Sequence, residues 1–292
     1  RPEAIKLAPV IRELLRNLDL ETRVCIFRQH REMLTQVLRT FGIRPDFDLP
    51  ISINDREFFG GGLHPIKKLK TLLESGFGFL RFFGILKREK PDVLIVQGDT
   101  STVFLAAFLG YLFKIPIAHV EAGLRTYDKY APFPEEMSRQ LLGRLADIHF
   151  APTEGARKNL LSENVLPENI HVVGNTEIDS LLWVLNRHKD PNFREEMIEQ
   201  LRRDYGLSLE SGKKLVLVTA HRRESFGEGL KNICEAVKEI ANKRSDVSVV
   251  YPVHQNPNVH QTAHAVLANQ KNVFLTPPIS YEPFAYLMNQ SH

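Results

Sequence analysis

The 292-residue sequence predicts an α/β protein built from two parallel-sheet, Rossmann-like domains. Three observations carry this. Short β-branched runs alternate with longer stretches of helical apolar spacing, the signature of repeated β-α units whose strands lie parallel beneath helices on both faces. The length exceeds what one hydrophobic core usually organises. The composition is that of a folded chain, with 43% hydrophobic and 25% charged residues and 17 Gly and 17 Pro, which excludes disordered and low-complexity classes.

The strands are expected at TRVCIF (22–27), DVLIVQ (92–97), IPIAHV (115–120), DIHFA (147–151) and IHVVG (170–174), then at KLVLVTA (214–220), DVSVVYPV (246–253) and NVFLT (272–276). Helical spacing fills 3–17, 31–41, 101–113, 135–146, 154–162, 176–187, 193–204, 228–243, 257–268 and 282–289. Between Val173 and Lys213 the alternation gives way to two helices without a strand, joined by Asp190, Pro191 and Asn192. The domain boundary is therefore placed near Gly174 and Asn175, giving domains of 1–174 and 175–292. Residues 52–90 mix a Gly-rich loop with an irregular apolar helix. Gly60 to Gly62 read as a surface loop, because neither a Gly-Lys-Ser/Thr nor a preceding strand makes them a phosphate loop. The chain opens inside a helix and stops after another, so both ends read as cut and the second domain as incomplete.

The net charge of +3 is scattered, which gives nucleic-acid binding little support. Cys25 and Cys234 stand in opposite halves of the chain, as packed thiols in a reducing cytoplasm would. The longest stretch free of both charge and histidine, Thr100 to Phe113, falls short of the ~20 residues that span a bilayer, and no signal peptide is evident.

Open parallel sheets bind ligands at the carboxyl ends of their strands, so polar residues just past an apolar run are the first candidates for chemistry. Asp99 follows DVLIVQG and has two readings, a functional acid or the cap of the helix beginning near Thr102. Glu121 follows IPIAHV, where no helical turn waits to receive a carboxylate. Glu135 opens the helix behind Pro134, where the macrodipole favours an acid in any case, and periodicity does not choose between it and Glu136. His221, Arg222 and Arg223 precede a glycine-opened helix and suit a phosphate or diphosphate. His254, after another strand, suits the same ligand or a structural role. His260 and His264 share a helical face but lack a third ligand, so they read as surface residues and no metal site is expected. With no G-x-G-x-x-G after any strand, no nicotinamide or flavin cofactor is expected.

RPEAIKLAPVI, QHREML, VQGDTSTVF, HVEAGLRT, PFPEEMSRQ, HVVGNTEID, TAHRRESFGEGL and YPVHQNPNV together resemble the non-hydrolysing UDP-N-acetylglucosamine 2-epimerases. The likeness covers nearly all of the chain outside residues 52–90. It implies a glycosyltransferase-B-like pair of Rossmann domains with an active site in the cleft between them. It also implies interconversion of UDP-N-acetylglucosamine and UDP-N-acetylmannosamine. By motif match, Asp99, Glu121, Glu135 and His221 fall on the family's catalytic positions, and Arg1 and Lys6 on its amino-terminal substrate-binding motif. Arg222 and His254 match nucleotide or effector positions. Gln29 and His30 match the segment where some bacterial members bind a second, activating UDP-N-acetylglucosamine. The resemblance further implies a cytoplasmic homodimer serving cell-envelope polysaccharide synthesis.

In the family's route the anomeric bond to UDP breaks first, positive charge builds at the anomeric carbon, and the carbon-2 proton leaves to give a glucal to which UDP adds back. Asp99, Glu121 and Glu135 would supply base, acid and charge stabilisation in an order that the sequence leaves open. His221 with Arg222 would hold the departing diphosphate. Family members carry a Ser-Gly-Gly-x-x-Glu-Glu loop that grips uridine diphosphate, after the segment matched by YEPFAYLMNQSH. No such loop stands in these 292 residues, so weak UDP-sugar binding is expected. A glycosyltransferase of the same architecture and a non-catalytic UDP-sugar-binding fragment are the alternatives.

Overall fold

The computed structural model describes residues 2–27, 31–50, 65–208, 212–220 and 227–292. The chain divides into two compact units, Arg1–Ser180 and Leu181–His292. The first contains α1 (Pro2–Arg16), β1 (Cys25–Phe27), α2 (Arg31–Thr40), β2 (Phe47–Leu49) and the long α3 (Pro65–Glu89). It continues with β3 (Leu94–Gln97), α4 (Ser101–Leu112), β4 (Ile117–Val120), α5 (Glu135–Leu145), β5 (Ile148–Ala151), α6 (Glu154–Ser162) and β6 (Ile170–Val172). Helix α7 (Thr176–Arg187) carries the chain into the second unit. There follow α8 (Pro191–Tyr205), β7 (Lys214–Leu217), α9 (Glu228–Lys243), β8 (Val247–Pro252), α10 (Pro257–Leu267), β9 (Val273–Thr276) and α11 (Tyr281–Gln290).

Every strand pairing among the described residues is parallel. β1 pairs with β2, β3 to β6 form a four-stranded sheet in chain order, and β7 to β9 form a three-stranded one. In the second unit the period-2 alternation of a strand buried on both faces is explicit. Val249, Tyr251 and Val253 of the β8 segment pack with Leu230, Cys234 and Leu267 on one face. Val250, Leu215 and Phe274 pack with Met197, Leu201 and Leu287 on the other. In the first unit, Val96, Ala107, Ile117 and Leu142 join β3 and β4 to α4 and α5. Gly110 of α4 lies so close to β3 that a Cβ there would meet Leu94 Cδ2 at 2.8 Å.

Each predicted strand is present and shorter than its apolar run, because the ladder stops where the chain turns off the sheet. β2 went unread, since Phe47–Leu49 lies between Pro45 and Pro50 and belongs to no longer β-branched run, as the equally short β1 and β6 do. Helix α8 begins two residues before its predicted start. Asp190, read as part of a linker, is its N-cap and accepts from the Asn192 N–H at 3.0 Å, with Pro191 in the first turn. No helix among the described residues is long and apolar enough to cross a membrane.

Candidate active site

β3 and β4 run in register with Gln97 opposite Val120, so the residues that follow, Asp99 and Glu121, leave from adjacent strand ends. The backbone there is tightly specified. Glu121 has φ +67, a left-handed conformation that costs a non-glycine residue of order 1–3 kcal/mol. Two residues on, Gly123 has φ +85, and a Cβ on it would lie 2.3 Å from the Ala156 carbonyl oxygen. Side-chain bonds hold Glu121 in this conformation. Lys6, on the second turn of α1, sits 2.7 and 2.8 Å from its two carboxylate oxygens, and buried Gln97 donates its Nε2–H to Oε2.

The two readings of Asp99 separate here. The cap of α4 is Thr100, whose hydroxyl oxygen accepts from the Val103 N–H. Asp99 instead accepts from Arg139 of α5 at 2.7 Å. The same guanidinium reaches Glu136 at 3.4 Å.

Glu135 and Glu136, equivalent by periodicity, also separate. Glu136 is fully buried and accepts from the Thr126 and Tyr127 N–H groups, both at 3.1 Å, and from Gln140 at 3.0 Å. Burial pushes its carboxyl pKa up, but the bonds from Gln140, Thr126 and Tyr127 and the charge of Arg139 outweigh burial and hold it below the ordinary value. It is committed to anchoring the loop before α5. Glu135 has a buried Oε2 without a hydrogen-bond partner among the described residues, and Arg139 lies four positions on, over the same helical face.

His119, inside β4, is 2% exposed and lies with Nε2 2.9 Å from the Gly98 carbonyl oxygen. Burial lowers its pKa to about 4; the Gly98 bond opposes this only in part. The strand end thus presents two carboxylates pinned by cations, suited to stabilising developing positive charge. A third acid, Glu135, whose Oε2 has no partner among the described residues, is suited to proton transfer.

Lys6, expected to bind substrate, is ion-paired with Glu121. His254 is exposed after β8, and its Nδ1 accepts from the Asn256 N–H at 3.1 Å. His260 and His264 stack at 4.2 Å on an exposed face of α10. Among the described residues no group of three His, Cys, Asp or Glu side chains could hold a metal ion. Arg1, Gln29, His30, Gly60 to Gly62, His221 and Arg222 lie outside the described residues.

Sequence reasoning gave no role to Gln97, His119 or Arg139. A polar residue inside an apolar strand run marks the first two. The third is marked by its four-residue spacing from Glu135.

The family model described as UDP-N-acetylglucosamine 2-epimerase matches residues 12–292. The chain is 46% identical, over its whole length and 73% of the relative's, to the UDP-N-acetylglucosamine 2-epimerase of Yersinia pestis. Against that of Escherichia coli K12 the identity is 45%, again with 73% of the relative covered. The crystal structure of UDP-GlcNAc 2-epimerase from Neisseria meningitidis bound to UDP-GlcNAc superposes with a TM-score of 0.82 at 41% identity, covering all of this chain and 74% of that one. The chain whose strand ends carry Asp99 and Glu121 therefore belongs to the UDP-N-acetylglucosamine 2-epimerase family.

Proposed function

We propose that the protein interconverts UDP-N-acetylglucosamine and UDP-N-acetylmannosamine by eliminating UDP and adding it back to carbon 1, with a proton delivered to the opposite face of carbon 2. The observation that carries this reading is the pair of adjacent strand ends, where Glu121 is held by Lys6 and Gln97 and Asp99 is held by Arg139. As the anomeric bond to UDP breaks, the ring gains positive charge, and carboxylates already fixed in place stabilise it without reorganising. Glu135, whose Oε2 has no partner among the described residues, takes the carbon-2 proton from one face of the sugar, and another of the three acids delivers a proton to the opposite face. Residues 1–174 supply these acids. Residues 175–292 form the nucleotide-binding domain, in which His221, Arg222 and His254 hold the diphosphate, while Arg1 and Lys6 contact the substrate.

The test is incubation of UDP-N-acetylglucosamine with the purified chain in heavy water. Deuterium at carbon 2 of both epimers supports elimination and re-addition, and epimer formed without deuterium overturns it. The reading extends to a second, activating UDP-N-acetylglucosamine at Gln29 and His30, and to a cytoplasmic homodimer feeding cell-envelope polysaccharide synthesis. Dimerisation is supported by exposed Phe108, Tyr111 and Leu112 on α4, a helix without a charge.

A further inference from the structure

We propose that His119 is a positioning residue for Asp99: its imidazole Nε2–H fixes the Gly98 carbonyl and so orients the peptide from which the Asp99 carboxylate projects. The inference rests on the catalytic reading of Asp99.

His119 stands in a strand buried at every position, paired in register with Val96 on β3 and His149 on β5. A polar ring so placed costs free energy unless it is hydrogen-bonded, and its partner is the Gly98 carbonyl oxygen at 2.9 Å. A carbonyl only accepts, so Nε2 carries the proton, and Nδ1 has no partner among the described residues. Burial keeps the ring uncharged, and neighbouring His149 and Arg125 act in the same direction.

Gly98 is where the chain leaves β3, with φ +85. Its N–H reaches the Val120 oxygen at 3.3 Å and its carbonyl meets His119, so both of its polar groups are tied to β4. That carbonyl shares one rigid peptide plane with the Asp99 nitrogen. The backbone of Asp99 is therefore set from β4 by His119, while Arg139 of α5 holds its carboxylate. His119 acts through this peptide and is not itself a catalytic residue.

Two variants separate positioning from packing. His119→Gln offers an amide N–H near the place of Nε2, and His119→Met fills similar volume without a donor. Misplacing a reacting group by about 1 Å costs on the order of 10²-fold in rate. His119→Met is thus expected to lose about 10- to 100-fold in kcat, with KM for UDP-N-acetylglucosamine changed less than about threefold, and His119→Gln to regain most of the loss. Equal losses in both variants, or no loss in the methionine variant, overturn the proposal.

A second readout needs no turnover. Nitrogen-15 spectra of the wild-type chain at pH 7 should show the His119 ring protonated on Nε2 and bare on Nδ1. The amide nitrogen-15 resonance of Asp99, which shares the Gly98 peptide, should move in His119→Met and stay near wild type in His119→Gln. The other tautomer, an imidazolium, or an unmoved Asp99 amide resonance overturns the proposal. A chain with this spectroscopic signature but no epimerisation would overturn only the functional reading.

Discussion

Glu135 and Glu136 are neighbours of one chemistry with opposite tasks, and the difference lies entirely in their partners. Glu136 spends its oxygens on Thr126, Tyr127, Gln140 and Arg139, whereas Glu135 keeps one buried oxygen unpaired among the described residues. Replacing Glu135 with Gln should therefore slow carbon-2 deuterium exchange by at least about 10²-fold, the scale of a lost general base, with little change in folding. Isotope incorporation followed by mass spectrometry checks this, and exchange within tenfold of wild type would remove Glu135 from the proton transfer. At Gly123 the backbone itself leaves no freedom. An added Cβ meets the Ala156 carbonyl at 2.3 Å in a left-handed conformation, so Gly123→Ala should cost about 2 kcal/mol or more in urea unfolding.

Elements are joined by a few committed contacts. Arg125, in the loop after β4, has a side chain fully shielded from solvent and forms a two-pronged pair with Glu163 at the end of α6, at 2.8 and 2.9 Å. Glu163→Gln would leave that guanidinium buried without its counter-charge, with an expected loss of about 3 kcal/mol read from the urea midpoint. Helix α4 shows the opposite situation. Its buried side is made of small residues, Ala106, Ala107 and Gly110, pressed on the sheet, while Phe108, Tyr111 and Leu112 face outward. On the proposal that the chain dimerises through that face, wild type should sediment as a dimer and Phe108→Asp combined with Tyr111→Asp as a monomer, and a doubly substituted protein that still sediments as a dimer would exclude α4 from the interface. The helices were legible from their apolar spacing, whereas the caps that open them, Thr100, Thr153 and Asp190, were identified by the structure. β2 was not legible, because no β-branched run surrounds Phe47–Leu49.

Across the whole molecule, acid should act through buried histidine before it reaches the carboxylates. His119 has an ordinary value of 6.5 and is lowered to about 4 by burial. Between those values the unfolded chain binds a proton that the folded chain refuses. Its contribution to stability is therefore complete above pH 6.5 and is lost as pH falls toward 4, by about 2 kcal/mol between pH 7 and pH 5. His149, also lowered by burial, acts in the same direction. Urea unfolding at the two pH values checks the sign, and equal stability at both would mean that water reaches the His119 ring. The sequence by itself determined the α/β class, the order of strands and helices, and the residues at the strand ends, because period, caps and turns are local properties of the chain. It also marked Asp99, Glu121 and Glu135 as acids placed for chemistry. Only the tertiary structure decided that Thr100 rather than Asp99 caps α4, that Glu136 is structural, and that Lys6, Gln97 and Arg139 bond the acids. The groups that hold Asp99 and Glu121 lie 24 to 115 residues from them in the chain, so no local pattern records those pairings. A hydrogen bond is chosen by which groups meet in space once the sheet has closed.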